Sequence, residues 1–323
     1  MNQARKRTGT KKVLSMILVL VMLLSLLSMA AFTLPTAASS DSAASNVDFM
    51  RIFHLDCGRK YFSVAEIEGI IDQLAANHYT HLQLAFGNNG FRFLLDKMSV
   101  GSYTSDQVKT ALKNGNNTYS NSKDADSSFL SESDMDKIIE HATTKGISII
   151  PMLNTPGHMD AMVSAMGELK VGSSRTSSEM SLTDDAQVSF VKALQQKYIN
   201  YFASKGSKYY NFAADEYSFS ALNDSEYTAF ATYVNAIAKM VKDAGMTPMC
   251  YNDGINYSGK TTSVPFATDI LVCYWAQAAN YASVTELSNA GFKIINNNDA
   301  WYYVLGDYLY DVCQVASGAI MMR

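Results

Sequence analysis

The chain has 323 residues, 48% hydrophobic and 17% charged, with 5 Pro and 18 Gly, which excludes a collagen-like or low-complexity chain and a disulfide-stapled miniprotein. Basic residues number 26 against 30 acidic, a net −4, and five of the basic ones (Arg5, Lys6, Arg7, Lys11, Lys12) lie in the first 12 positions, so the remainder carries −9. An acidic body argues against nucleic acid and against an anionic membrane surface as partners, because both need a basic face.

The basic start runs into an apolar stretch, Val13 to Phe32, and then into Leu34-Pro35-Thr36-Ala37-Ala38 before a polar Ser39-Ser40-Asp41. This is the order of a secretory signal, and it predicts a signal peptide over 1–38, with the body extracellular, secreted or at the cell surface. The apolar run is 20 residues long, enough to span a bilayer, so an uncleaved anchor is the rival reading; the small residues favour cleavage. Membrane contact is expected only through this segment. Cys57, Cys250, Cys273 and Cys313 show no metal spacing, and buried free thiols are the expectation for the first three. With five His and no His-x-x-x-His pair, no metal and no cofactor is expected.

Residues 39–48 read as a linker. Phe49 to Asp56 reads as a strand, and Ser63 with Glu66 as the capping box of a helix carrying Val64, Ile67, Ile70, Ile71 and Leu74 at helical spacing. His81 to Phe86 is a second strand. Residues 88 to about 130 form a long excursion, polar and turn-rich over Asn114 to Ser128. A helix is predicted over Ser131 to Lys145, and an apolar strand over Ile147 to Leu153. A helix from Thr183 to Ser204, a strand from Tyr209 to Ala214 and a helix from Ser225 to Ala244 follow. The strands Pro248 to Tyr251 and Ile270 to Trp275, a short helix capped by Ser283 and Glu286, and the strand Phe292 to Asn296 complete the series.

Alternating strands and helices imply βαβ units and a parallel sheet. No G-x-G-x-x-G or Walker pattern supports a nucleotide-binding sheet. The predicted fold is therefore an α/β (β/α)8 TIM barrel. Only seven strands are countable, so the barrel is expected to be short by about one βα unit.

In such barrels chemistry sits at the C-terminal ends of the strands. Those ends carry Asp56-Cys57-Gly58-Arg59, Gly87-Asn88-Asn89-Gly90, Asn154-Thr155-Pro156-Gly157-His158, Asp215-Glu216-Tyr217, Tyr251-Asn252-Asp253-Gly254, Tyr274-Trp275 and Asn297-Asn298-Asp299-Ala300-Trp301-Tyr302. The set holds acids, amides, an Arg, a His and both Trp residues, and no obvious nucleophilic Ser or Cys. Aromatics can stack on a sugar face while acids and amides bond its hydroxyls. Adjacent acids leaving one strand tip diverge, so they do not readily flank one sugar carbon from opposite faces. They suit a substrate that brings its own nucleophile, such as a 2-acetamido group.

The runs Gly58-Arg59-Lys60-Tyr61-Phe62, Gly90 to Asp96, Pro156-Gly157-His158-Met159-Asp160-Ala161-Met162, Ala214-Asp215-Glu216 and Asn252-Asp253-Gly254, with the late Trp301-Tyr302, resemble glycoside hydrolase family 20, the β-N-acetylhexosaminidases. The resemblance covers roughly 49 to 312 and is nearest to streptococcal-type surface exo-β-N-acetylglucosaminidases; it assigns 49–323 to a catalytic barrel. It implies a retaining, substrate-assisted mechanism through an oxazolinium intermediate. Glu216 is then the general acid and later base, with a raised pKa expected for that task. Asp215 holds the acetamido nitrogen, and Tyr302 the acetamido oxygen. Arg59, Tyr251, Asp253, Trp275 and Trp301 bind the sugar, with Arg59 at its non-reducing end. His158 and Asn88 support the acids from behind. The sequence departs from many family members after strand two, where Gly87-Asn88-Asn89 replaces paired Asp residues. Two other readings stand beside exo action on a terminal N-acetylhexosamine: a non-catalytic carbohydrate-binding barrel, and a disaccharide-releasing lacto-N-biosidase.

Overall fold

In the computed structural model, residues 50–117 and 129–299 are described. The signal and linker segments, Cys313, Trp301 and Tyr302 lie outside them. Strand β1 (Ile52–Asp56) leads to helix α1 (Val64–Ala76), whose first turn is closed by the reciprocal Ser63–Glu66 capping box. Its Ile67, Ile71 and Leu74 face inward at helical spacing. Strand β2 (His81–Asn88) is buried along nearly all its length, as a strand covered on both faces must be.

Six further strands follow, β3 (Gly90–Phe91), β4 (Ser148–Leu153), β5 (Tyr209–Asn211), β6 (Thr247–Tyr251), β7 (Leu271–Tyr274) and β8 (Lys293–Asn296). The sheet order is β1-β2-β4-β5-β6-β7-β8, every neighbour parallel, and β3 is a short antiparallel appendage of β2. Seven parallel strands in sequential order, joined by helices, make an incomplete (β/α)8 barrel among the described residues. All the strand C-termini therefore open on one face.

The excursion after β2 is more ordered than its polarity suggests. Helix α2 (Ser105–Asn117) lies in it, and Phe93 bridges to Leu130. Phe91, Phe93, Leu95, Met98, Val108 and Leu112 are buried there, and that burial offsets the ordering cost of a long connection. Asn116 Oδ1 accepts from the Phe91 amide at 2.8 Å, tying α2 to β3. Residues 114–117, read as turn-rich, are the last turn of this helix.

Helix α3 (Glu132–Thr144) precedes β4, and α4 (Asp160–Glu168) follows it. The second was not expected, because Pro156 and Gly157 mask its start. Its Ala161, Met162, Ala165 and Met166 pack inward at helical spacing. Helices α5 (Asp185–Ser204), α6 (Asp224–Asp243) and α7 (Val284–Asn289) complete the repeat. Gly206 and Gly245 follow α5 and α6 at φ 87° and 83°, a left-handed conformation that glycine adopts without steric cost.

Strand β5 is shorter than the predicted Tyr209 to Ala214. Ala213 and Ala214 take φ 58° and 60°, so the backbone leaves the extended region early. Ladder bonds nevertheless continue: Phe212 N donates to Met249 O at 3.0 Å and Tyr251 N to Ala213 O at 2.7 Å. This turn aims the two residues that follow.

Candidate active site

Asp215 and Glu216 leave that turn side by side. Asp215 is mostly buried, and its Oδ1 accepts from Asn154 Nδ2 at 2.7 Å. Asn154 itself is fully buried and donates to Asn88 Oδ1 at 3.1 Å. Glu216 is half exposed, with Oε2 2.9 Å from His158 Nε2. The same Nε2 lies 3.7 Å from Asp215 Oδ2. Both carboxylates thus converge on one imidazole from one strand tip.

Arg59 closes the cluster on the β1 side. Its Nη1 donates to Asp56 Oδ2 at 2.8 Å and its Nε to Asn89 Oδ1 at 3.0 Å. Asp56 Oδ1 accepts the backbone N–H groups of Gly58 and Arg59, and its Oδ2 also takes Asn88 Nδ2 at 2.9 Å. Gly58 has to be glycine here: a Cβ would stand 2.5 Å from the Asn88 nitrogen. About a third of the Arg59 side chain remains exposed toward the open face.

Asp253, expected to touch the sugar, is fully buried. Its Oδ2 accepts the Glu216 backbone N–H at 2.7 Å and its Oδ1 the Trp275 indole N–H at 3.1 Å. It therefore holds the Glu216 backbone and the Trp275 indole from inside the fold, with no exposed surface of its own to meet a sugar. Asn252 pins the Trp275 backbone, accepting its N–H at 2.8 Å. Tyr251 and Trp275, at the adjoining ends of β6 and β7, meet edge to face at 6.3 Å, both partly buried.

Asn88 joins Asp56 to Asn154 and so backs Arg59 and Asp215. The neighbour of His158 is Asn89, whose Oδ1 lies 3.1 Å from His158 Nδ1. Asn89, Asn154 and Asp56 all stand at strand ends in the sequence, but nothing there ranks an amide above the acids. Only the three-dimensional arrangement singles them out.

The charges are set by these contacts. Burial alone lowers the pKa of His158, but the hydrogen bond to Glu216 and the charge of Asp215 outweigh it and hold the imidazole above its ordinary value. The hydrogen bond from His158 holds the Glu216 carboxyl below its ordinary value, against the opposing effect of burial. The raised value expected for a proton donor is therefore not that of the unliganded site. Here the shared proton rests on the imidazole. His158, Asp215 and Glu216 present ligand-type atoms within 4.8 Å of one another, but a cation there would have to displace the His158–Glu216 hydrogen bond.

Residues 50–314 match the glycosyl hydrolase family 20 catalytic domain, and the chain belongs to that family. Two solved structures of the pneumococcal virulence factor StrH, an exo-β-D-N-acetylglucosaminidase with tandem catalytic modules of this family, share its fold. One is 36% identical with a TM-score of 0.74, covering 80% of this chain and 67% of that one; the other is 35% identical with a TM-score of 0.75, covering 83% and 70%. A lacto-N-biosidase of Bifidobacterium bifidum is 28% identical over 205 residues, 57% of this chain and 18% of the relative. A β-N-acetylhexosaminidase of Cellulomonas fimi is 23% identical over 274 residues, 80% of this chain and 48% of the relative. The chain thus spans less than half the length of these two curated relatives.

Proposed function

We propose that this chain removes terminal β-linked N-acetylhexosamine from glycans, outside the cell, by substrate-assisted catalysis with retention. The observation that carries this reading is the convergence of Asp215 and Glu216 on one imidazole. Two acids held on the same side cannot serve as acid and opposite-face nucleophile for one sugar carbon. The nucleophile then comes from the substrate, and the 2-acetamido oxygen is the group within reach of the anomeric carbon.

In this mechanism Glu216 protonates the leaving oxygen. Its proton comes from His158 Nε2 when a bound sugar covers the half-exposed carboxylate, because loss of water raises a carboxyl pKa. Asp215, oriented by Asn154, accepts the acetamido N–H and balances the positive charge of the oxazolinium. Glu216 then takes a proton from the water that opens the ring. Arg59, anchored by Asp56, bonds hydroxyls at the non-reducing end, and Trp275 supplies the apolar wall. Tyr302, outside the described residues, is proposed to bond the acetamido oxygen, and Trp301 to line the same pocket. The signal-like 1–38 segment supports export.

Turnover of an aryl β-N-acetylglucosaminide and the matching β-glucoside tests the reading. Cleavage of the first only is expected, with Glu216→Gln slower by about 10²-fold or more. Equal cleavage of both would refute substrate assistance. The likeness to a lacto-N-biosidase favours a second reading, release of a disaccharide; an aryl lacto-N-bioside cleaved faster than the monosaccharide glycoside would establish it.

A further inference from the structure

One short segment after α4, residues 175–180, touches both of the loops that meet at the His158–Glu216 contact. It is a closed turn: the Arg175 and Thr176 N–H groups donate to Glu179 O at 3.0 and 3.2 Å. On one side it holds the backbone that flanks His158. Met180 N donates to Pro156 O at 3.1 Å, and Met159 N to Ser178 O at 2.8 Å. On the other side it holds the two residues that follow Glu216. Tyr217 Oη donates to Met180 O at 2.8 Å, and Ser218 Oγ to Glu179 Oε1 at 2.6 Å. The last bond is charge-assisted, since a carboxylate only accepts. Glu179 is buried, with Arg175 Nε 3.2 Å from its other oxygen, and the Arg175 guanidinium lies 5.5 Å over the Tyr217 ring. Ser218 keeps a left-handed φ of 49°, as Glu216 does, a conformation that a residue other than glycine holds only where its surroundings fix it.

We propose that Glu179 is a positioning residue that, through Ser218, fixes the β5 loop against the β4 loop and so sets the reach of Glu216 to His158. The bonds at Pro156 and Met159 fasten the turn to the His158 side by backbone alone. On the Glu216 side the grip is made by side chains, so a substitution can loosen it. Asp253, at the Glu216 N–H, holds the start of the same stretch, and Glu179 holds its end. The effect on turnover rests on Glu216 being the general acid; the effect on the His158–Glu216 contact does not.

The test is the titration of His158, followed by the nitrogen-15 signals of the histidine-labelled full chain and assigned by the signal lost in His158→Gln. Against the lowering effect of burial, the Glu216 hydrogen bond holds this ring above its ordinary value of 6.5. Asp215 Oδ2 at 3.7 Å and Arg59 Nη2 at 3.4 Å also face the ring, and substitutions at Glu179 and Ser218 leave both in place. Ser218→Ala removes the hydroxyl. Glu179→Asp keeps the charge beside Arg175 but withdraws the oxygen from Ser218. Each is expected to move the His158 titration down toward 6.5. Each is also expected to lower kcat on the aryl glycoside roughly tenfold, with KM changed by less than about twofold. The double variant is expected to do no more than either alone, because both changes break the same bond. Ser218→Gly relieves the left-handed backbone yet also lacks the hydroxyl, so it is expected to match Ser218→Ala. An unchanged His158 titration in either single variant would overturn the proposal, whatever its melting temperature. So would additive effects in the double variant, or a Ser218→Gly that behaves as wild type, which leaves backbone strain as the only cause. If the wild type cleaves no glycoside, the proposed function fails and the titration still decides this point.

Discussion

Asp253 is the buried acid on which both Glu216 and Trp275 hang. Burial, reinforced by the negative charge of Asp215, pushes its pKa up to about 7. Between the ordinary carboxylate range and that value, the folded chain keeps a proton that the unfolded chain has lost. This group's contribution to stability therefore falls as pH rises from about 4 to about 7. Asp253→Asn does not titrate, and its amide leaves one N–H donor facing another, a roughly constant cost of about 1–3 kcal/mol. Melting curves at acid and neutral pH are thus expected to show the variant's deficit shrinking as pH rises; a pH-independent deficit would contradict the buried, protonated Asp253. The His158–Glu216 pair adds its own dependence. The raised imidazole contributes below its ordinary value of 6.5 and fades above its folded value, while the lowered carboxyl contributes above 4.5 and fades in acid. At this scale the sequence already shows the acids, Arg59 and His158. It does not show that Asp253 faces inward, because an acid at a strand tip reads the same whether it meets sugar or backbone.

Among the elements, the loops after β4 and β5 matter most, because they place His158 and the acid pair. They touch at Gly157, where a Cβ would lie 2.8 Å from the Asp215 carbonyl oxygen. The β5 loop has little room to yield. Ala213, Ala214 and Glu216 all hold left-handed φ values, each costing about 1–2 kcal/mol outside glycine, so the surrounding packing already fixes its path. Gly157→Ala is expected to destabilise by about 1–3 kcal/mol, as overpacking does. It is also expected to lower kcat by up to about 10²-fold through displaced carboxylates. Melting temperature and turnover check this together; wild-type kcat would mean that the two loops move independently. The sequence reads well wherever apolar period and caps agree, as at Ser63–Glu66 and Ser283–Glu286. It reads badly here, because backbone that turns left-handed at Ala213 carries no glycine to announce it. The helix α4 is hidden for a related reason: its apolar spacing follows a Pro-Gly pair that looks like a break.

At the level of the whole molecule, the strand–helix alternation is enough to reach a barrel, because parallel strands in sequential order have few other ways to bury both faces. The strand-end rule then gathers the site from six separate stretches of chain among the described residues. What neither pattern reveals is the hydrogen-bonded chain from Asp56 through Asn88 and Asn154 to Asp215, since amides at strand ends have no periodic signature. Charge is the property that belongs to no single element. Beyond the first 12 residues the balance is −9, and at the strand ends Asp56, Asp215 and Glu216 stand against Arg59 and the protonated His158, a local excess of one negative charge. A like-charged substrate is therefore repelled over a distance set by the Debye length, about 10 Å at 0.1 M salt. Added salt is expected to raise kcat/KM for a sulfated N-acetylglucosaminide and to leave that for the neutral glycoside nearly unchanged. Parallel rate measurements across ionic strength decide the matter. A sulfated substrate that slows with salt would show that Arg59 and its surroundings outweigh the acidic body and steer anions into the site.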